Sequence, residues 1–446
     1  MIKLIPARLV KLSEQLNKPL FVVGGACRDF LAQLRCNVVD WDICAPLCTD
    51  EVVSCARKAG FEVSSVYKNT GTVHLRADGY DYEFTSFRSD RYVRGKHVPE
   101  EVFFTDDIKK DALRRDFRCN AVYYDISARS FVDPLGGIDD VKRRVLTTVA
   151  PAEKVFGEDG LRLMRLCRIA AQTGFTPAEE TVEGARYNRA LIDDIAKERV
   201  FTELTALLEA DLKYGNGDGP YLGLKLLHEI GVLERILPEL TSGDGMEQRK
   251  DFHDFDVLEH SLRCVKYAHP SIRLAALLHD VGKPYCKINF GRFARHEEEG
   301  ERIAAEILTR LRAGNRLKER VCALVRWHMY DLSLQTSENK IRKFIVAHLP
   351  IYEELLLLKQ ADYSACKGDL SKAPCVLKWE NIFRNMKNEG VPLKISQLAV
   401  RGDELIGAGI CPEQTGKTLE YLLYQCAMGV LPNQREKLIA HALSHR

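Results

Sequence analysis

Two aspartates one residue apart, Asp40 and Asp42 in the run Val38-Val39-Asp40-Trp41-Asp42-Ile43, are the side chains of this 446-residue chain best placed to do chemistry. If the run is a strand, residues two apart project from one face, so both carboxylates point together. Like charges a few ångström apart repel, and a divalent cation removes that cost; magnesium is the natural hard partner for oxygen ligands. Glu83, in Tyr80-Asp81-Tyr82-Glu83-Phe84, sits on a second predicted strand with aromatic neighbours on its opposite face, and offers a third carboxylate. Upstream, Phe21-Val22-Val23-Gly24-Gly25-Ala26-Cys27-Arg28-Asp29 reads as a strand, a Gly-Gly turn and a helix. Glycine at both positions lets backbone N–H groups approach an anion, and the helix start adds its dipole. In isolation a plain tight turn explains the glycines better, and an exposed strand edge is the bland account of the aspartates.

Three further constellations follow. In Arg114-Arg115-Asp116-Phe117-Arg118-Cys119-Asn120, Asp116 and Asn120 are four apart and are expected on one helical face, with Arg115 adding positive charge. Alone, this cluster reads as a solvated helix start. Asp159 and Arg162 are spaced i, i+3 on a predicted helix, which sets an acceptor beside a fork of donors; Glu158 and Arg162 at i, i+4 offer a plain surface salt bridge instead. Arg165 and Arg168 continue the basic character of that helix. Further on, His260, His279-Asp280, His296, His328 and Asp362 recur through a helical region. Imidazoles and carboxylates gathered inside a helix bundle can bind a transition metal that activates water for phosphoester hydrolysis; a folded scaffold without catalysis is the alternative.

The elements that must position these groups fall into two regimes. From Leu20 to about Val145, short β-type runs (Leu20 to Val23, Val38 to Ile43, Thr72 to Leu75, Tyr80 to Phe84, Ala121 to Asp125) alternate with helical segments. After Glu153 helical periodicity dominates, broken by turn clusters at Gly215 to Pro220, Thr241 to Gly245 and Lys367 to Pro374, which mark domain joints. A chain this long is expected to split into several domains. Its 46% hydrophobic and 29% charged residues are those of a globular protein, and 65 Lys plus Arg against 63 Asp plus Glu give a net charge of only +2, so nucleic acid must be bound by local basic faces. The 14 cysteines are scattered without a CxxC pair and read as reduced core residues. No run approaches the roughly 18 apolar residues of a membrane helix, and the N-terminus reads as a short amphipathic helix, so a cytoplasmic location away from membranes is expected.

The ordered series Gly24-Gly25-x-x-Arg28-Asp29, Asp40-x-Asp42, Arg114 to Ala121, Asp133-Pro134-Leu135-Gly136-Gly137 and Glu158-Asp159-Gly160-Leu161-Arg162 resembles the motifs of class II nucleotidyltransferases. That family holds CCA-adding enzymes and bacterial poly(A) polymerases, and its head is related to DNA polymerase beta. The resemblance covers roughly residues 20 to 240 and implies an α+β multidomain protein. A nucleotidyltransferase α/β head would span 1–146, an all-α neck with the base-recognition motif 147–240, an HD-type helical body 241–375 and a helical tRNA-binding tail 376–446. It also implies that Asp40 and Asp42 hold Mg2+ with Glu83 assisting, and that Gly24, Gly25 and Arg28 hold the triphosphate. Asp116 and Asn120 would meet ribose and phosphates beside Arg115, and Arg165 and Arg168 would face triphosphate or RNA.

Within this resemblance Asp159 and Arg162 read the base. Cytosine and adenine share an exocyclic amino donor beside an unprotonated ring nitrogen, whereas uracil and guanine present a carbonyl beside N–H. A mispaired buried polar contact costs about 1 to 3 kcal/mol, so two together give roughly hundred-fold discrimination. The segment Arg88 to Phe103 resembles the loop that full CCA-adding members use when switching from C to A, while Gly160 departs from a frequent proline. The histidine and aspartate series resembles the HD phosphohydrolase superfamily, with His260, His279, Asp280, His296, His328 and Asp362 as ligands of a transition metal. The implied activity is addition of C, C and A to tRNA from CTP and ATP. The rivals are poly(A) or A-only addition on the same fold, or a metal phosphohydrolase with an RNA-binding head. The implied polymerising role requires that residues 40 and 42 converge beside a pocket whose far wall holds residues 159 and 162.

Overall fold

A computed structural model describes residues 5–34, 40–91, 100–249, 251 and 254–445. The chain divides into two compact units, Met1–Thr241 with Arg310–Ala313 and Ser242–Thr309 with Gly314–Arg446.

In the first unit the strands run β1 (Phe21–Val23), β2 (Trp41–Ala45), β3 (Glu62–Tyr67), β4 (Thr72–Ala77), β5 (Tyr80–Ser86), β6 (Arg88–Arg91), β7 (Glu101–Phe104), β8 (Tyr123–Asp125) and β9 (Ser130–Val132). Strands β6 and β7 pair as a separate hairpin, and the rest form one mixed sheet in the order β3-β4-β5-β2-β1-β8-β9. Alternation along the strands sorts side chains to two cores. Val22, Ile43, Val73, Leu75, Tyr82 and Phe84 face one, where α1 (Ala7–Gln15) and α3 (Thr49–Ala59) contribute Leu9, Leu12, Val52 and Ala56. Phe21, Val23, Cys44 and Tyr123 face the other with Ala112, Val149 and Val155. By the same alternation Asp42 and Glu83 leave the first core. Helix α2 (Gly25–Leu31) follows β1, and α4 (Ile108–Leu113) and α5 (Gly137–Arg143) complete the sheet-bearing part.

Apart from a short parallel strand pair, Val145–Leu146 with Thr176–Pro177, the rest of this unit is helical: α6 (Ala152–Glu158), α7 (Leu161–Thr173), α8 (Glu179–Asn188), α9 (Lys197–Leu208), α10 (Ala210–Tyr214), α11 (Gly219–Glu229), α12 (Leu233–Ile236) and α13 (Pro238–Thr241). Helix α7 buries Leu163, Leu166, Cys167 and Ile169, while Arg162, Arg165 and Arg168, three apart, form a second stripe.

The second unit is helical throughout its described residues. It contains α14 (Val257–Tyr267), α15 (Arg273–Leu278), α16 (Gly282–Phe290), α17 (His296–Arg310), α18 (Asn315–Trp327), α19 (Glu338–Ala347), α20 (Tyr352–Lys367) and α21 (Pro374–Asn388). Helices α22 (Gly402–Gly407), α23 (Pro412–Ala427) and α24 (Arg435–Ser444) end it. No described helix is long and apolar enough to cross a membrane. The described cysteines are free, with Cys27, Cys44, Cys119, Cys167 and Cys264 among those buried.

Candidate active site and metal centre

A cleft of about 1110 Å³ opens in the first unit, and its lining brings Gly24, Gly25, Asp40, Asp42 and Glu83 together with Asp159, Arg162, Arg165 and Arg168. Parallel pairing of β2 with β5 puts Asp42 in register with Glu83. Trp41 and Ile43 turn into the core, as do Tyr82 and Phe84, so both acids face away from it. Burial, then the Glu83 charge, raises the Asp42 carboxyl to about 6, with Asp40 contributing to the rise. This is the electrostatic strain that a divalent cation relieves, and the oxygen-only donor set suits magnesium. Asp40 lies just before β2, and its Oδ2 stands 2.6 Å from the Lys213 Nζ.

Around the acids the backbone comes close. Gly24 has a φ of +77°, and a Cβ there would lie 2.8 Å from the Asp42 Oδ2. Arg28 is buried; it donates through Nε and Nη2 to the Asp29 Oδ1 at 2.9 and 2.7 Å, and through Nη1 to the Asn120 Oδ1 at 2.8 Å. The Asp116 Oδ2 accepts from the Arg165 Nε and Nη2 at 2.9 and 2.6 Å, and its Oδ1 from the Asn120 Nδ2 at 3.1 Å. Burial opposes charge on Asp116, but Arg165 and Asn120 outweigh it and hold the carboxyl well below its usual range. Arg115 is fixed by the Asp111 Oδ2 at 3.1 Å and the Tyr123 hydroxyl at 3.2 Å.

Three expectations need correction. The strand expected over Val38 to Ile43 begins at Trp41, so Asp40 is not a strand residue; Val38 and Val39 lie outside the described residues. Asp116 and Asn120 do not share an α-helical face. Helix α4 ends at Leu113, Phe117 is extended with φ −124° and ψ 146°, and a 3-10 turn over Arg118–Asn120 carries Asn120 back to Asp116. Asp159 is not on a helix either: it is extended between α6 and α7 and accepts from the N–H of Leu161, the first residue of α7, at 2.9 Å, while Arg162 belongs to that helix. The Glu158 to Arg162 pair does form, at 3.0 Å, but the guanidinium is buried and also donates to the Val155 and Arg114 carbonyls at 2.8 and 2.7 Å. Of the segment Arg88 to Phe103, the hairpin strands β6 and β7 are seen, and residues 92–99 lie outside the described residues.

In the second unit the six expected ligands meet. They come from α14 (His260), the turn after α15 (His279 and Asp280), the first residue of α17 (His296), the end of α18 (His328) and α20 (Asp362). They fall into two triads, His260 with His279 and Asp362, and Asp280 with His296 and His328. Asp280 spans them: its Oδ2 lies 3.2 Å from the His279 Nε2 and its Oδ1 lies 3.1 Å from the His296 Nε2. The Nδ1 atoms of His279, His296 and His328 lie 2.8, 2.9 and 2.7 Å from the carbonyls of Ala276, Phe293 and Val325. A carbonyl only accepts, so each Nδ1 carries a proton, and in the neutral ring the Nε2 offers its lone pair inward. The His296 and His328 Nε2 atoms stand 3.3 Å apart, as do those of His260 and His279. Facing lone pairs backed by carbonyl-held N–H groups fit a metal ion of the transition series.

The matched families follow the same layout. Residues 20–147 match the Poly A polymerase head domain, residues 174–243 the probable RNA and SrmB-binding site of polymerase A, and residues 257–365 the HD domain. A CC-adding tRNA nucleotidyltransferase of Thermus thermophilus is 31% identical over 440 residues, 94% of this chain and 92% of that one. The chain belongs to the tRNA nucleotidyltransferase and poly(A) polymerase family. An A-adding tRNA nucleotidyltransferase of Deinococcus radiodurans is 29% identical over 437 residues, 93% of each chain. Among solved structures, the Bacillus stearothermophilus CCA-adding enzyme in complex with CTP shares the fold with a TM-score of 0.68, covering 98% of this chain and 97% of that one at 22% identity. The α+β head and largely helical remainder are thus those of a nucleotidyltransferase of this family carrying an HD domain.

The structure of this tRNA nucleotidyltransferase also brings in residues that its motifs did not mark. Lys213 reaches the cleft from α10, and Tyr214 beside it donates its hydroxyl to the Asp29 Oδ2 at 2.7 Å. Glu203 of α9 accepts from the Arg168 Nε at 2.6 Å. Asp111 braces Arg114 and Arg115 from inside the head. Local spacing gives no sign of the first three, because their partners lie 35 or more positions away.

Proposed function

We propose that this chain adds C, C and A in turn to the 3′ end of tRNA, taking CTP and ATP. The observation that carries the reading is that Asp42 and Glu83, in register on neighbouring strands, line the same cleft as Asp159 and Arg162. Magnesium held by Asp40 and Asp42, with Glu83 beside them, supplies the Lewis acidity for attack of the tRNA 3′-hydroxyl on the α-phosphate and for departure of pyrophosphate. The Gly24-Gly25 backbone and Arg28 hold the triphosphate, and Asp116 and Asn120, set by Arg165 and Arg28, orient ribose and phosphates. Asp159 accepts from the exocyclic amino group and Arg162 donates to the ring nitrogen, so CTP and ATP fit where UTP and GTP leave polar groups unpaired. Arg168, held by Glu203, faces the same cleft. Residues 1–146 perform transfer, 147–240 read the base, 241–375 form the HD-type body and 376–446 hold tRNA, all in the cytoplasm.

The test is extension of a tRNA transcript lacking CCA with each nucleotide singly and together. Two cytidines followed by one adenosine are expected; unlimited extension with ATP alone rejects the proposal. The similarity to an A-adding relative favours a second reading, A addition alone. It predicts extension of transcripts ending in CC and none of transcripts ending before them.

For the second unit we propose a metal-dependent phosphoester hydrolase centre, in which His260, His279, Asp280, His296, His328 and Asp362 would hold transition-metal ions that supply an activated water. Elemental analysis of the purified chain is expected to find such ions, lost in His279→Ala; a metal content unchanged by that substitution rejects the centre.

A further inference from the structure

The cations on the walls of the nucleotide cleft are held in two ways. Arg28, Arg115, Arg165 and Arg168 are fixed by Asp29, Asp111, Asp116 and Glu203 respectively, partners that keep their charge for the protein when a metal ion enters. Lys213 differs. Its Nζ pairs at 2.6 Å with Asp40, a carboxylate whose side chain is 70% exposed and which the reading above hands to magnesium. An ammonium and a divalent ion on one carboxylate repel each other, so entry of the ion displaces the weaker charge. Lysine suits such an exchange, because its compact charge rides on a flexible four-carbon stem.

The base of that stem is anchored. Tyr214, next in sequence, donates to the Asp29 Oδ2 at 2.7 Å and accepts from the Arg28 Nη2 at 2.9 Å, which pins the end of α10 against the helix that follows the Gly24-Gly25 turn. The released ammonium therefore stays in the cleft, on the side where the triphosphate is proposed to lie. We propose that Lys213 is a triphosphate ligand that exchanges partners: the ion takes Asp40, and the ammonium passes to the phosphates of the incoming nucleotide. This rests on the assignment of Asp40 and Asp42 as metal ligands.

The test uses the full chain without tRNA. Mn2+ binding is followed by electron paramagnetic resonance in the absence of nucleotide, with every chain also carrying His279→Ala so that the centre of the second unit does not contribute, and CTP and cytidine binding by calorimetry and competition in the presence of Mg2+. Lys213→Gln is expected to bind Mn2+ about threefold tighter or more, because the competing ammonium is gone, and CTP about tenfold weaker, the worth of one charge-assisted hydrogen bond. Cytidine, which has no phosphate, is expected to bind as to the unaltered chain, and Lys213→Arg to restore CTP. Unchanged Mn2+ affinity, unchanged CTP affinity, or an equal loss for CTP and cytidine overturns the proposal. Asp42→Asn separates the two readings. If it binds Mn2+ and CTP normally, the metal assignment itself is wrong; if it loses both while Lys213→Gln changes nothing, only the role of Lys213 fails.

Discussion

Gly24 shows how tightly the cleft is built around one carboxylate. With a φ of +77° and room for no Cβ within 2.8 Å of the Asp42 Oδ2, it combines left-handed backbone with close approach. Gly24→Ala is expected to lower kcat about 100-fold through displacement of Asp42, measured as single-nucleotide incorporation at saturating CTP; full activity would show that the carboxylate tolerates the shift. Asp111, fully buried, carries a different load. Burial opposes its charge, but Arg115 and Arg114 outweigh it and depress the carboxyl from 3.8 to about 2. A depressed acid stabilises the fold above its unfolded pKa and loses that contribution as pH falls through the folded one. The contribution of Asp111, about 2 kcal/mol, is thus present at neutral pH and fades between pH 3.8 and about 2. Asp111→Asn is expected to melt lower than the parent chain at pH 7, with the gap narrowing toward pH 3; a gap independent of pH would count against this account.

At the scale of elements, the join between α6 and α7 positions Asp159 and Arg162, the pair proposed to read the base. The backbone of Gly160, with φ −62°, could accommodate proline, the residue frequent at this point in the resembling family, but space does not: a Cβ would lie 2.5 Å from the Leu191 carbonyl oxygen. Gly160→Ala is expected to cost about 1 to 3 kcal/mol by overpacking and to blunt discrimination of CTP from UTP, read from the unfolding midpoint and from misincorporation; an unaltered midpoint would refute the packing argument. Strands β1, β2, β4, β5 and β8 were legible because hydrophobic alternation and β-branched runs report burial directly. Strand β3 (Glu62–Tyr67) was not, since its residues are mostly exposed or half-buried and the alternation is weak. Asp116 and Asn120 came together as their spacing suggested but through a 3-10 turn, because the extended Phe117 breaks the helix that spacing alone assumed.

For the whole molecule, two candidate sites of different chemistry sit in different units: carboxylates in the first, imidazoles with Asp280 and Asp362 in the second. Their activities are expected to separate cleanly. His279→Ala should abolish metal-dependent phosphoester hydrolysis yet leave nucleotide incorporation within about twofold, and Asp42→Ala should do the reverse, since sites with no shared partners act additively. Loss of both activities in either variant would refute the separation. The sequence by itself determined the reagents: which acids, glycines, arginines and histidines are present, in what order, and therefore the family and the class of reaction. Those facts are local, carried by motif spacing and by the alternation that turns Asp42 and Glu83 away from the core. Only the tertiary structure decided who meets whom. Asp40 pairs with Lys213 across 173 positions, Arg28 with Asn120 across 92, and Asp280 reaches two triads at once. Such meetings depend on packing between elements distant in the chain, where no periodicity in the sequence reports which faces will touch.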